Sequence, residues 1–289
     1  MEWVNVTIQG ILLGGLYALF AVGLSLVFGV MRIVNLAHGD FGILAAFIAL
    51  FFVQWMHLGL LWSSIITIIL MFIIGYVLQR GLLNFTLGAD DTRPILVTFG
   101  LSVIIQNALL LTFSADTQGL KAAITTKSIT ISNEVAIGWY PLLVFIGAIV
   151  IIAALQMFLA GTQYGRGFRA TSDDREAAEL MGINNRHVYG LAMAISLFIV
   201  GIAGILLAIK TTFDPTQGQF NLLFAFEAVI MGGMGSLWGT LAGGIILGMA
   251  QTLGAQAFGS GWAILCGHVV FLFVLLVRPQ GIFPKTVTA

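Results

Sequence analysis

Residues 228–277 read AVIMGGMGSLWGTLAGGIILGMAQTLGAQAFGSGWAILCGHVVFLFVLLV, an unbroken stretch without Asp, Glu, Lys or Arg. Glu227 stands at its head. Soluble domains carry about 25% charged residues; this chain of 289 residues carries 8%, with 59% hydrophobic. A bilayer core about 30 Å thick is crossed by about 20 apolar residues, so the stretch has room for two crossings. An ionisable carboxyl beside such a run is costly to bury and marks a functional position.

The same reading extends along the chain. Trp3–Met31, Phe41–Gln79, Pro94–Ala115, Val135–Gly165 and His187–Ile209 are also free of the four charged types. They predict an all-α, polytopic membrane protein of about 8–9 transmembrane helices, forming one transmembrane domain over 1–289. The expected spans are 6–30, 38–56, 60–79, 94–114, 139–160, 188–209, 222–258 and 262–278. His57 and Gly59 make the turn between the second and third, and Pro94 and Pro141 suit helix starts. The segment 222–258 is expected to be broken or re-entrant, because Gly232, Gly233, Gly235 and Gly239 interrupt it and such interruptions mark transport paths. Gly10, Gly14 and Gly15 on the first span suit close helix packing. The N-terminus has Glu2 and no basic residue, so the first span is expected to stay rather than be cleaved.

Basic residues set the orientation. With the loop 161–187 cytoplasmic, Arg32, Arg80, Arg93, Arg166, Arg169, Arg175 and Arg186 fall inside, and Lys121, Lys127 and Lys210 outside, with the N-terminus. Asp116, Glu134 and Asp214 join the outer group. Eight plain crossings would strand Arg278 and Lys285 outside; two crossings within 222–258 bring them in. The zero net charge favours no nucleic acid partner. The single Cys266 allows neither an internal disulfide nor a metal cluster. There is no Gly-x4-Gly-Lys-Ser/Thr run for ATP, no His-Glu-x-x-His and no Gly-x-Ser-x-Gly. An intramembrane enzyme and a stand-alone channel or carrier are the rival classes.

The most polar stretch, GRGFRATSDDREAAELMGINNRH (165–187), predicts a short helix of about eight residues. Asp173 with Glu176 has capping-box-like spacing, Ala177, Leu180 and Met181 share a face, and Gly182 ends the helix. Such a helix is marginal alone. It packs on its own protein, or it presents Ala177, Ala178 and Leu180 to a partner. Elsewhere, Asn35, His38 and Asp40 are candidates for the translocation path or an inner gate. Asp40 is placed in a helix first turn, where a carboxylate is favoured, with Arg32 as its expected ion-pair partner. Glu227 lines the path or bonds a neighbouring helix. Gly232, Gly233 and Gly235 share its broken segment. Tyr17 and Ser25 are weaker path candidates; Gln79, Gln106, Asn107, Gln251 and His268 suit interhelical hydrogen bonds.

EAAELMG (176–182), within RATSDDREAAELMGIN, resembles the EAA loop of bacterial ABC importer permeases. GGLYALFAVGLSLVFGVMRIVNLAHGDFG (14–42), FEAVIMGGMGSLWGTLAGG (226–244) and VRPQGIF (277–283) resemble the Liv-type permeases of branched-chain amino acid importers, so the likeness covers nearly the whole chain in order. One departure is that Leu191-Ala192-Met193-Ala194-Ile195 stands where the general loop pattern continues with Ile-x-Leu-Pro. The resemblance implies a multi-pass inner-membrane subunit that is not itself an enzyme and holds no cofactor. ATP and Mg would sit on two separate ATP-binding cassette subunits. A homologous second permease, or a second copy, and a periplasmic solute-binding protein complete the expected assembly. Arg175, Glu176, Ala177, Ala178, Glu179 and Gly182 become the coupling positions. The implied cargo is Leu, Ile or Val, with urea, short amides and other amino acids as alternatives.

Overall fold

The computed structural model describes residues 2–87, 92–132 and 135–283. Glu134 and Lys285, both used in the orientation argument, lie outside the described residues. Helices follow in the order α1 (Glu2–Met31), α2 (His38–Gln54), α3 (Leu60–Gly81), α4 (Thr92–Phe113), α5 (Trp139–Gly161), α6 (Gln163–Asp173), α7 (Arg175–Leu180), α8 (Asn185–Lys210), α9 (Gly218–Gly232), α10 (Leu237–Phe258) and α11 (Ala263–Val277). A small antiparallel hairpin, β1 (Ser128–Ser132) and β2 (Val135–Gly138), precedes α5. Among the described residues, seven helices are long and apolar enough to cross a membrane, and α2 and α9 are shorter apolar helices. The chain is an all-α polytopic membrane protein.

Close packing rests on small residues. α1 and α10 run antiparallel, with Gly10 against Gly248 and Gly14 against Ile245. α2 crosses α8 where Gly204 meets the Gly42 backbone, and α3 meets α8 where Gly75 abuts Met193 and Ala194. Without a hydrophobic drive between helices in lipid, such contacts give the association its dispersion energy. α1 and α8 are the central helices, each more than two-thirds buried over its most apolar 18 residues, whereas α11 buries only Gly267 fully.

The two short helices are placed unusually. After α1 ends, residues 32–37 turn back into the bundle: the Leu36 N–H donates to Thr98 Oγ1 of α4 (3.2 Å). α2 then starts beside the Phe20 carbonyl, which accepts from His38 Nε2 (2.9 Å). Phe20 lies about 16 Å along α1 from that helix's C-terminal end. α9 starts at the same depth, since Gly218 lies against Asp40 and Gly39. From that shared level α2 runs toward the end bearing Phe213, whose ring meets Phe47 (4.9 Å). α9 runs the other way, to the turn at 233–236.

That turn is the expected break. Gly233 (φ +104°) and Gly235 (φ +84°) take left-handed conformations, which favour glycine. Gly232 then packs on Gly239, and Gly243 on Ala228, so α9 and α10 form a tight antiparallel pair. The C-terminal strap follows: Ile282 N–H donates to the Met231 carbonyl (2.8 Å) and Phe283 N–H to that of Gly232 (3.0 Å). Arg278 therefore lies at the same end as the 161–187 loop, as two passes over 222–258 require. Boundaries differ slightly from expectation: Pro94 and Pro141 sit in the third position of α4 and α5, still within the first turn that tolerates proline.

Candidate functional site

Three groups of predicted residues form distinct sites. The first is the loop. It contains two helices, where one was expected. Asp173 ends α6, and the N-cap of α7 is Asp174, not Asp173. Its Oδ1 accepts from Glu176 N–H (2.9 Å) and Ala177 N–H (3.0 Å). The capped helix spans six residues rather than eight. Gly182 (φ +84°) closes it as expected, donating to the Glu179 carbonyl, while Ile183 N–H reaches the Ala178 carbonyl (both 3.0 Å); this is the Schellman pattern.

Asn185, at the start of α8, ties the loop together. It accepts from Thr171 Oγ1 (2.9 Å) and donates to the Arg175 carbonyl (2.8 Å) and Glu179 Oε1 (3.1 Å). Arg175 pairs with Glu179 at 3.9 Å and lies over the Tyr189 ring. Ala178 is buried against this joint, which corrects its expected place on a presented face: a helix so short anchors by that side chain. Glu176 and Ala177 remain exposed. Leu180 is 88% and Met181 83% exposed.

The second group surrounds the start of α2. Asn35, His38 and Asp40 are all buried. Asn35 Oδ1 accepts from Ala37 N–H (3.0 Å), bending the return segment into the helix. His38 Nε2 must carry the proton it gives to the Phe20 carbonyl, leaving Nδ1 as a buried lone pair without a partner. Asp40 does lie in the first turn of α2, but Arg32 is not its partner. Because the chain re-enters the bundle, Asp40 is carried inward to α4, where Gln106 Nε2 donates to Oδ1 (3.0 Å). Arg32 stays at the surface and reaches the Ser172 carbonyl at 3.4 Å. Asp40 Oδ2 and Asn221 Nδ2, one turn into α9, are buried with no hydrogen-bond partner among the described residues.

The third group joins α1, α9, α10 and α11. Glu227 Oε1 is bonded to His268 Nδ1, and Glu227 Oε2 is buried without a partner. Tyr17 donates its hydroxyl to Gln251 Oε1 (2.6 Å). Phe224 lies between them, its ring 5.1 Å from Tyr17 and 6.4 Å from His268. Gln106, Gln251 and His268 thus make the interhelical bonds expected of them. Gln79 instead reaches Asn84, and Asn107 the Val103 carbonyl of its own helix. Ser25 lines a cavity at the loop end with Gly235, Phe168 and Arg169. Gly232, Gly233 and Gly235 form the α9–α10 turn. The structural importance of Asn185, Asn221 and Ser196, which donates to the Gly23 carbonyl (2.8 Å), went unread. For Asn185 the signal was its place just after the Asn184 cap, at the first position of α8.

The family described as "Branched-chain amino acid transport system / permease component" matches residues 6–278. The chain is similar to the high-affinity branched-chain amino acid transport system permease protein BraD of Pseudomonas aeruginosa, 28% identical over 96% of this chain and 94% of BraD. It is likewise similar to LivH of Salmonella typhimurium, 27% identical over 96% and 94% of the two chains. The probable permease LivH of Methanocaldococcus jannaschii is 24% identical over 94% and 90%. These relatives are transport permease proteins, not enzymes. With all but the outermost residues of its membrane bundle matched, the chain belongs to the family of branched-chain amino acid transport system permease components.

Proposed function

We propose that the chain is the membrane-spanning subunit of an ATP-driven, binding-protein-dependent importer of branched-chain amino acids in a bacterial inner membrane. In this reading the 161–187 loop faces the cytoplasm and the N-terminus the periplasm. Two ATP-binding cassette subunits dock on the paired permease chains, one on each loop. ATP hydrolysis on those subunits drives the bundle between outward- and inward-facing states. A soluble binding protein delivers cargo at the opposite end.

The observation that carries the proposal is the pair of exposed apolar side chains, Leu180 and Met181, on the capped helix α7. The helix is held from behind by Ala178 and Asn185, so its free face has a fixed direction. A rigid apolar knob on a polar loop suits insertion into a groove of a soluble partner. Arg175, Glu176, Ala177, Glu179 and Gly182 surround it. The geometry is that of a transmitter: a push on α7 passes through Asn185 into α8, the most central helix after α1.

In this reading the binding protein supplies the cargo selectivity. Asn35, His38, Asp40, Glu227, Gly232, Gly233 and Gly235 are the proposed lining or gate. The test is co-purification with the cognate ATPase. Leu180→Asp is expected to abolish capture, while leaving the membrane-embedded chain folded; retained capture and retained ATP-dependent uptake would sink the reading.

A further inference from the structure

At the end of the bundle opposite the 161–187 loop, the segment 117–126 folds over the C-terminus of α8 and leaves a cavity of about 650 Å³. Its frame is rigid in hydrogen-bond terms. Gln118 and Phe213 exchange two backbone bonds (2.8 and 2.9 Å), and Leu120 N–H donates to the Ala208 carbonyl (2.9 Å). Lys210, the last residue of α8, lines the cavity. Among the described residues no carboxylate lies within salt-bridge distance of it.

A lysine at a helix C-terminus is ordinarily explained as a cap on the last carbonyls. That explanation is weakened here. The Leu206 carbonyl accepts from the Tyr140 hydroxyl, the Leu207 carbonyl from Thr211 N–H, and the Ala208 carbonyl from Leu120 N–H. Two of the last four carbonyls, those of Leu207 and Ala208, are already served, and Lys210 lines the cavity. Thr117 and Thr212 also line it, together with an apolar wall of Leu120, Ala208 and Ile209. Lys121 also lines the cavity and adds charge of the same sign.

We propose that this cavity is a vestibule site for a small aliphatic carboxylate, held by Lys210 through its carboxylate and by the Leu120–Ala208–Ile209 wall through its hydrocarbon end. The size falls in the range of about 300–1,000 Å³ typical of small-ligand sites. The apolar wall argues for a free small molecule: an acidic side chain of a docking protein would need the cation alone. The cavity is open, so the α-ammonium of an amino acid stays in water at its mouth. The choice of leucine as ligand rests on the importer reading; the cation and the wall do not.

The purified full chain in lipid nanodiscs, without other subunits, is titrated with radiolabelled L-leucine and 4-methylpentanoate. Both are expected to bind saturably, and 3-methylbutylamine, which lacks the carboxylate, is expected not to compete. Lys210→Gln should weaken both by about tenfold or more, the loss of a charge-assisted contact. Lys210→Arg should stay within about threefold of the parent, and both variants should keep its thermal stability. No saturable binding, or equal binding by Lys210→Gln, overturns the site. So does a Lys210→Gln variant that binds both ligands normally but no longer captures the soluble binding protein, which would make the cavity a protein-docking surface. Carboxylate binding without ATP-driven uptake in the complete assembly would instead preserve the site and refute the importer.

Discussion

Single residues in this bundle separate into those that pack and those that carry polar groups into lipid depth. Gly204 packs: a Cβ there would run into the Gly42 carbonyl, a backbone atom that cannot swing away. Gly204→Ala is expected to destabilise the bundle by about 1–3 kcal/mol through overpacking, seen as a lowered thermal midpoint in detergent. Gly201 is the milder case, because its Cβ would meet Met71 Cγ and Cβ at 3.0 and 3.2 Å, a side chain that must give by a few tenths of an ångström; Gly201→Ala should cost less than Gly204→Ala. Glu227 belongs to the other class. Only one of its two carboxylate oxygens is bonded, although the side chain is buried. A buried acceptor without a partner costs about 1–3 kcal/mol, a cost that selection for folding alone would remove. Glu227→Ala is accordingly expected to lower uptake severalfold at an unchanged amount of assembled complex. Uptake equal to the parent's would place Glu227 outside the path.

At the scale of elements, α7 shows what six residues need in order to persist. Isolated helices of that length do not form, and this one depends on Asp174 at one end, Gly182 at the other and Asn185 beneath. Asp174→Ala should cost the loop about 1 kcal/mol through the lost cap. Gly182→Ala should cost about 1–2 kcal/mol, because φ +84° is strained for an L side chain. Hydrogen exchange of the 175–181 amides measures both: faster exchange confined to this loop is the expected result, and unchanged exchange would contradict the dependence. The loop's existence and its stop at Gly182 were readable from residue order; its exposed face was not, since Ala178, one of the residues expected to be presented, is buried. Which aspartate caps was not. Asp173 and Asp174 have the same capping chemistry, and the choice falls to Asp174 because α6 runs on through Asp173. The pairing of Asp40 was misread for a related reason. Sequence neighbours suggest Arg32, but the return of residues 32–37 carries Asp40 to the depth of Gln106 and leaves Arg32 at the surface.

Across the whole molecule, long charge gaps made α1, α3, α4, α5 and α8 legible, since bilayer thickness alone fixes the length of an apolar run. The glycines at 232–235 likewise announced the break between α9 and α10. The depth at which α2 and α9 begin was not legible. Helix patterning records that a turn of helix exists and is silent on where in the bundle it starts; that is decided by contacts such as His38 with Phe20 and Gly218 with Asp40, far apart in sequence. The paired short helices make the bundle asymmetric about its mid-depth, one running to each end. The end carrying the loop also carries Arg278, and the other carries Lys121 and Lys210. Single cysteines introduced at Ser172 and Gln280 in a Cys266→Ala background are expected to react with a membrane-impermeant maleimide only in inside-out vesicles. One at Asp116 should react only in right-side-out vesicles. The reverse pattern would invert the orientation.

In the proposed function, work enters this bundle through α7 from a separate ATP-hydrolysing subunit. Leucine accumulation in proteoliposomes tests it most directly, with the complete assembly compared against the permease chain alone and against Leu180→Asp. Accumulation that requires ATP and the ATPase, and that is lost in Leu180→Asp, is the predicted result. Concentrative uptake by the permease chain alone, or undiminished ATP-driven uptake by the variant, would contradict it.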